Sequence, residues 1–519
     1  MLQFIQRHAK NLLGVLSGFD RLRFRGTLRH IAYAEGMQAF LNQSRVLLKD
    51  FKNYVNGVSK QVSARAEQLA AVANRPLEYR AGNVDKELLA RKMLRDQPVE
   101  QGLIGVISAV ENCRSYTIYR NAESKHLELR NEPRKCLHYY FYFQHARFGF
   151  MHARLQTWFP FDLRVCLNGR EWLCRDLDRL GIGYRRRENC LVQVDSVKRA
   201  QRLLDRQLRT DWSGTFHDLA DLVHPLREQI FPMGWMRQYY WSLAECEWAT
   251  DLMFRSPSAL ASIYPHLLEH AMANFGARDV MKFLGRKVPT VGINGHFQGE
   301  VVSDLKARPE GMRVKHRVGA NSIKMYDKQG SVLRIETTIN DPSDFKVYRA
   351  KEGDEHGPKD WRQLRKGVAD GHRWAEVSQA ANERYLEGLA AASETTPLGQ
   401  LLEPLGRRVK FGDRWVRGLN PFATDDAALL AAVNRGEFAI NGFRNRDLQT
   451  LLYKAAPRDE AEQRRRSSAI TRQLRLLRAH GLIQKVPKTY RYQVSEKGRL
   501  AITALLAALQ ADTITLTAA

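Results

Sequence analysis

The chain has 519 residues, enough for about three domains of ordinary size. Its residues are 44% hydrophobic, 9% aromatic and 27% charged, a globular balance that excludes wholesale disorder, collagen and coiled coil. Eighty-two Lys and Arg stand against 56 Asp and Glu, a formal charge of +26 that makes a polyanion the expected partner, nucleic acid first.

No stretch reaches the roughly 18 apolar residues of a spanning helix, and segments 102–110 and 501–509 both fall short. The opening MLQFIQRHAKNLLGVLSGFD mixes Arg7, His8 and Lys10 into an amphipathic pattern without a secretory core, so a cytoplasmic protein with no membrane partner is expected. Cys113, Cys136, Cys166, Cys174, Cys190 and Cys246 include no C-x-x-C pair, which points to reduced, mostly buried thiols rather than a disulfide framework or zinc finger.

In chain order, residues 1–130 read as a mostly helical region: an amphipathic start, a strand-like 19–26 and a helical pattern over 36–73. Residues 131–234 read as an aromatic-rich α+β domain, with two aromatic strands from 135, a helix over 170–180, a strand over 189–194 and a helix over 197–208. Residues 235–392 combine a helical segment over 235–283, a β-rich stretch over 291–339 and a closing long helix over 361–392. Residues 393–435 hold Pro397, Pro404, Gly406, Gly412, Gly418 and Pro421 and read as a connector with a short strand near 414–416. Residues 436–519 make the last domain. The expected class is α+β multidomain: a helical N-terminal region, two α/β sheet layers and a C-terminal helical module.

Between 441 and 500 the chain carries fifteen Lys and Arg but five Asp and Glu, so charge is concentrated there. Helices are suggested over 446–453 and 461–480, then strands over 484–486 and 490–494 around Pro487-Lys488-Thr489. This order resembles the winged-helix module of bacterial regulators such as the MarR and ArsR families, over about 70 residues. Ile470, Leu474 and Leu477 recur at helical spacing as an inward stripe, and Arg465, Arg472 and Arg475 lie off it. Such a basic helix enters a major groove, where arginine reads guanine edges, while Lys488 and Arg491 on the wing reach phosphates. The alternative is a solvated basic face on a module that mediates protein contacts.

Ten aromatics fall between 139 and 161, far above the 9% average. Tyr139, Phe141 and Phe143 alternate with Tyr140 and Tyr142, so both faces of the strand carry rings. Bases stacking on Tyr140 and Tyr142, flanked by Arg147, Arg154, Arg164 and the run Arg185-Arg186-Arg187, would suit single-stranded DNA or RNA in the manner of RRM-like sheets, although no RNP-type consensus is present. The alternative is a sheet buried on both sides. His138, His145 and His152 recur every seven residues, which is not a metal-ligand spacing, and no metal is assigned to them.

Residues 319–338, GANSIKMYDKQGSVLRIETT, read as a hairpin with Ile323, Met325, Leu333 and Ile335 on one side and Lys324, Tyr326, Arg334 and Glu336 on the other. Its "YDK … R-x-E" pattern is similar to the strand pair of the Rep_trans family of rolling-circle replication initiators, over about 20 residues. The resemblance implies a Rep-like sheet in which a carboxylate-bound divalent ion polarises a phosphate and a tyrosine attacks it. The product would be a 5′-phosphotyrosine, and the matching residues here are Tyr326, Asp327, Lys328, Arg334 and Glu336. Glu336 and Asp327 would then hold Mg²⁺ or Mn²⁺, hard cations that take oxygen ligands. Tyr348, between Lys346 and Arg349, is the candidate nucleophile, with Tyr326 the runner-up and Lys328 a further catalytic candidate. His296-Phe297-Gln298 is similar to the paired ligands of HUH nucleases with one histidine replaced, which nominates His296 as a ligand. The alternative is a cross-strand charge ladder of Lys324, Arg334 and Glu336 beside a basic face of Arg313, Lys315 and Arg317.

No G-x-x-x-x-G-K-S/T, G-x-G-x-x-G or G-x-S-x-G occurs, so no nucleotide or organic cofactor is expected. Two readings follow. One is a DNA-binding protein of a bacterial mobile element, a metal-dependent tyrosine nickase with a winged helix for duplex. The other is a non-catalytic RNA-binding component of a ribonucleoprotein assembly, or a winged-helix regulator.

Overall fold

The structure, a computed structural model, describes residues 1–231, 235, 237–286, 301–309, 311–351, 353–354, 356–391, 398–435, 438, 442–453, 455–487 and 489–511. The chain is mixed α/β and divides into two compact units. The first comprises Met1–Val15, Ala249–Leu364 and Glu376–Ala519, the second Leu16–Trp248 and Arg365–Ala375.

The elements run α1 (Leu2–Arg7), β1 (Leu12–Thr27), α2 (Ala34–Gln43), α3 (Phe51–Val72), β2 (Leu77–Tyr79), α4 (Lys86–Asp96), β3 (Gly102–Arg120) and β4 (Leu127–His145). Then come β5 (Gly149–Gln156), β6 (Leu163–Asn168), α5 (Gly169–Arg179), β7 (Tyr184–Arg187), β8 (Cys190–Val194), α6 (Val197–Gln207), α7 (Trp212–Val223), α8 (Arg227–Ile230) and β9 (Tyr240–Phe254).

In the second unit the sheet order is β9-β1-β6-β5-β4-β3-β2, where β9 contributes its N-terminal part. The pairs from β1 to β3 are antiparallel, and β2 joins β3 in parallel. Register sets Phe24 against Val165, Val165 against Ala153, Ala153 against Phe141 and Phe141 against Val106. All five are fully buried, so this row is the spine of one face. Phe24 meets Trp212 at 4.6 Å and Phe216 at 4.8 Å, which seats α7 on the sheet. α6 comes so close to β1 that a Cβ on Gly18 would stand 2.7 Å from Leu204. Asn168 ends β6 and starts α5, its side chain accepting from the N–H groups of Arg170 and Glu171.

The first unit continues with α9 (Pro257–Ala261), α10 (Tyr264–Ala273), α11 (Ala277–Phe283), β10 (Val301–Arg308), β11 (Gly311–Val318), β12 (Asn321–Lys328), β13 (Val332–Ile339), β14 (Lys346–Arg349), β15 (Asp360–Gln363) and α12 (Gly371–Ala391), of which α12 begins in the second unit. β10 to β13 form an antiparallel meander, and the C-terminal part of β9 lies beside β13. α12 lies along it: Asn382 Nδ2 donates to Ile335 O at 3.0 Å, and Thr337 Oγ1 donates to Asn382 Oδ1 at 2.7 Å.

The C-terminal part of this unit holds α13 (Leu398–Gly406), the hairpin β16 (Val409–Phe411) and β17 (Arg414–Val416), then α14 (Thr424–Val433), α15 (Asn445–Leu452), α16 (Glu460–Ala479), the hairpin β18 (Ile483–Lys485) and β19 (Tyr492–Val494), and α17 (Glu496–Gln510). Leu429, Phe443, Leu448, Ile470, Leu474, Leu477 and Ile502 close a core of their own.

Several elements differ from the sequence reading. Residues 1–130 hold the long strands β1 and β3 beside their helices. The segment over 235–283 opens on β9 rather than on a helix; β9 alternates only over its first few residues and is buried on both faces from Cys246 to Phe254, so most of it lacks the alternation that marks a half-exposed strand. β6 and β7 stand between the expected aromatic strands and the strand over 189–194, and the long helix begins at Gly371, after β15.

Two buried histidines make stability depend on pH. His224 packs on Phe161 and its Nδ1 lies 2.8 Å from Tyr239 Oη; His316 lies between Ser303 and Tyr385. Burial pushes His224 down to about 3 and His316 to about 4, against 6.5 unfolded. The unfolded state therefore takes up protons first. Stability is full above about pH 6.5 and falls as the pH drops toward about 4, by about 1.4 kcal/mol per pH unit for each histidine. Urea midpoints across that range should show the decline, and His224→Gln should remove about one histidine's share.

Candidate nucleic-acid interface and buried charge sites

The hairpin of β12 and β13 pairs Lys324 with Glu336, Tyr326 with Arg334, Asp327 with Leu333 and Lys328 with Val332. Lys324 Nζ donates to Glu336 Oε1 at 2.6 Å. The Arg334 guanidinium has no solvent exposure and grips Asp251 of β9 with two bonds, 2.6 and 3.0 Å. Lys328 Nζ stands 5.6 Å over the Tyr326 ring. The polar side foreseen for this hairpin is thus a buried charge ladder. Asp327, opposite Leu333, projects to the other face from Glu336, so the strand pleat does not bring those two carboxylates to one ion. Burial raises the Asp327 carboxyl above its ordinary value.

Tyr348 is not brought to that ladder by any contact among the described residues. It packs on Trp361 at 5.9 Å, with the guanidinium of Arg491 4.0 Å and that of Arg444 5.5 Å from its ring centre. Arg491 is 7% exposed and also donates to Gly442 O at 3.2 Å, so it is a buried clamp and not a phosphate contact on a wing. His296 and Lys488 lie outside the described residues.

On α16, Ile470, Leu474 and Leu477 are buried as the stripe requires. Arg465 and Arg472 are exposed and Arg475 is half-buried, and no ion pair engages these three among the described residues. Arg464 and Arg466 are instead paired with Glu460 and Glu462 one turn back. Arg475, Arg478 and Thr471 line a recess against Phe411 and Arg414 of the β16–β17 hairpin, with Arg478 5.2 Å over the Phe411 ring. In the meander, Arg317 is exposed, Arg313 reaches Asp304 at 3.4 Å, and burial lowers Lys315.

In the second unit Tyr140 and Tyr142 are not an open platform. Tyr142 is 2% exposed beneath α4, in a cluster with Ala90, Met93 and Phe150, and Tyr140 Oη donates to Glu111 Oε2 at 2.7 Å. The same face opens further along: register sets Arg25 against Arg164 and Arg164 against Arg154, and Arg23, Arg25 and Arg164 are about half exposed. Asp162 pairs with both Arg25 and Arg164. Arg185 and Arg187 are exposed on β7, whereas Arg186 pairs with Glu171 at 2.6 Å.

Two further clusters offer metal-ligating atoms. A cavity of about 460 Å³ beside β1 is lined by Asp20, His152, Asn168, Asn189 and Glu247 among others. Asp20 accepts from Asn189 Nδ2 at 3.2 Å, and its carboxylate lies within 4.8 Å of that of Glu247, which takes Arg21 at 2.8 Å. On β3 and β4, Cys113, Cys136 and His138 come together. Neither cluster has a local sequence signature, because strand pairing assembles both.

No family model matches the sequence, and no curated protein and no solved structure matches the chain.

Removing one member of the ladder leaves a buried charge without its partner. Glu336→Ala is expected to cost about 3–5 kcal/mol, whereas Lys324→Met with Glu336→Leu should come within about 1 kcal/mol of the parent. Denaturant unfolding of the three proteins measures this, and equal losses in both variants would contradict a closed ion pair.

Proposed function

We propose that the protein is a cytoplasmic nucleic-acid-binding protein of a bacterial mobile element, and that residues 424–510 are a winged helix gripping duplex DNA through α16. The observation that carries the reading is the row Arg465, Arg472 and Arg475, free of carboxylate partners among the described residues, on a helix whose opposite stripe is buried. Cations left unpaired on one helix face release the counterions of a phosphate backbone and reach base edges. The formal charge of +26 and the exposed arginines of β1 and β6 support a second contact with phosphates.

The likeness of the β12–β13 hairpin to replication initiators bears on ancestry and on partner class, DNA before RNA. Binding is favoured over nicking by these residues. Glu336 is neutralised by Lys324, Asp327 faces away from it, and Tyr348 is clamped by arginines. If a nicking centre operated there, Mg²⁺ or Mn²⁺ would yield a covalent protein–DNA adduct lost in Tyr348→Phe.

Arg472→Glu with Arg475→Glu should weaken duplex binding by about ten-fold or more and flatten the dependence of log K on log salt by about one unit per lost phosphate contact. Fluorescence anisotropy at several salt concentrations reads both. Unchanged affinity would remove α16 from the interface, and a metal-dependent adduct sensitive to Tyr348→Phe would reinstate the nickase reading.

A further inference from the structure

We propose that Cys113, Cys136 and His138 bind a zinc ion, three protein ligands with the fourth position open to solvent. The site does not depend on the nucleic-acid reading.

The placement follows from the register of β3 and β4. Glu111 stands opposite Cys136, Cys113 opposite Arg134 and Ala109 opposite His138. Opposed residues share a face, as do alternate residues of one strand, so Cys113, Cys136 and His138 project to the same side. The two sulfurs are 2.7 Å apart, and one ligand atom from each of the three residues lies within 4.8 Å of the others. Two thiolates and an imidazole are the donor set of zinc sites with an open position.

His138 is prepared for the role. Its Nδ1 lies 3.0 Å from Cys136 O, a bond that makes Nδ1 the proton-bearing nitrogen and leaves the lone pair on Nε2. Ligating histidines are oriented in this way, by a carbonyl on the nitrogen opposite the metal. The residue is 1% exposed. The thiols sit near Arg154, which Glu111 anchors at 3.0 Å. Glu111 itself is engaged by Lys86, Arg154 and Tyr140 and is not a ligand.

Zinc–sulfur bonds of about 2.3 Å at a tetrahedral angle hold two sulfurs about 3.7 Å apart, so binding needs the pair to open by about 1 Å. A disulfide would need it to close to about 2.05 Å. A disulfide has no use for the imidazole; a metal does. On binding, the thiol protons go to solvent as the Zn–S bonds form.

The location gives the ion something to do. β5 covers β4 only from His138 onward, and β2 covers β3 only over Val106–Ser108. Beyond those points the β3–β4 register runs on to Arg120 opposite Leu127, a ribbon with no third strand beside it among the described residues. The ribbon is held at Tyr116, which is buried and bonded to Phe159 and Ile31, and an ion at its base would fix both strands a second time, where they leave the sheet.

The reduced, metal-stripped full-length protein should take up one Co²⁺ with a thiolate-to-cobalt charge-transfer band that equimolar Zn²⁺ abolishes. Cys113→Ser and Cys136→Ser should each lose the band and weaken zinc affinity by about 100-fold or more, while Cys166→Ser leaves both unchanged. Cys113 is only half-buried, so Cys113→Ser is informative even if His138→Gln fails to fold. Absence of the band in reduced protein, its persistence in Cys113→Ser, or two thiols that react only after a disulfide reductant with no metal uptake would each overturn the site.

Discussion

A guanidinium with no solvent exposure must find its counter-charge inside the protein, and Arg334 finds it in Asp251. That demand orders much of the first unit. It ties β13 to β9 through side chains as well as through the ladder of backbone bonds, and it sets the neighbouring pair, Lys324 and Glu336, in a place where water cannot screen either charge. On the other side of the same strand Thr337 reaches Asn382, and Asn382 also takes the Ile335 carbonyl, so α12 is positioned by hydrogen bonds as well as by apolar packing. A buried ion pair adds little net stability over a hydrophobic replacement, because desolvation offsets most of the attraction. Its effect is on uniqueness: a slip of register by one residue would turn every one of these charges to the wrong face.

What could be read from the sequence was what repeats at short range. The alternation of Lys324 and Tyr326 against Arg334 and Glu336 is a local pattern, and the hairpin has that register. The stripe of Ile470, Leu474 and Leu477 is buried at the spacing that suggested it, and α15 and α16 lie within a residue or two of their expected limits. β9 is illegible for a physical reason: its alternation is confined to the first few residues, the stretch from Cys246 is buried on both faces, and Trp241, Leu243, Cys246, Trp248 and Leu252 fall at intervals a helix could also use. The clusters at Asp20 and at Cys113 are illegible for another: Asp20 lies far along the chain from Glu247, and Cys113 from the Cys136–His138 pair, and only the sheet brings them together. The seven-residue spacing of His138, His145 and His152 carries no information about the neighbours of His138, which sit on its own strand and on the strand beside it.

Rings on both faces of β4 leave two arrangements open, an exposed stacking face or a sheet covered on both sides, and composition does not choose between them; here α4 lies over Tyr142 and Glu111 occupies Tyr140. The cations beside them behave differently. Arginine projects its charge beyond a covered stem, so Arg23, Arg25 and Arg164 keep their heads in water although their strands are central. The basic character of this unit is therefore displayed by its sheet, whereas in the C-terminal module it is displayed by one helix.

The clamp on Tyr348 has a mechanical consequence. In a module whose hairpin is free, the loop between β18 and β19 can swing relative to α16. Here Arg491, one residue before β19, is held by the Tyr348 ring and the Gly442 carbonyl. The root of that loop is anchored to β14 through Tyr348 and to the 442–443 segment through Gly442 and Phe443, so torque applied to the hairpin would pass directly into the body of the unit.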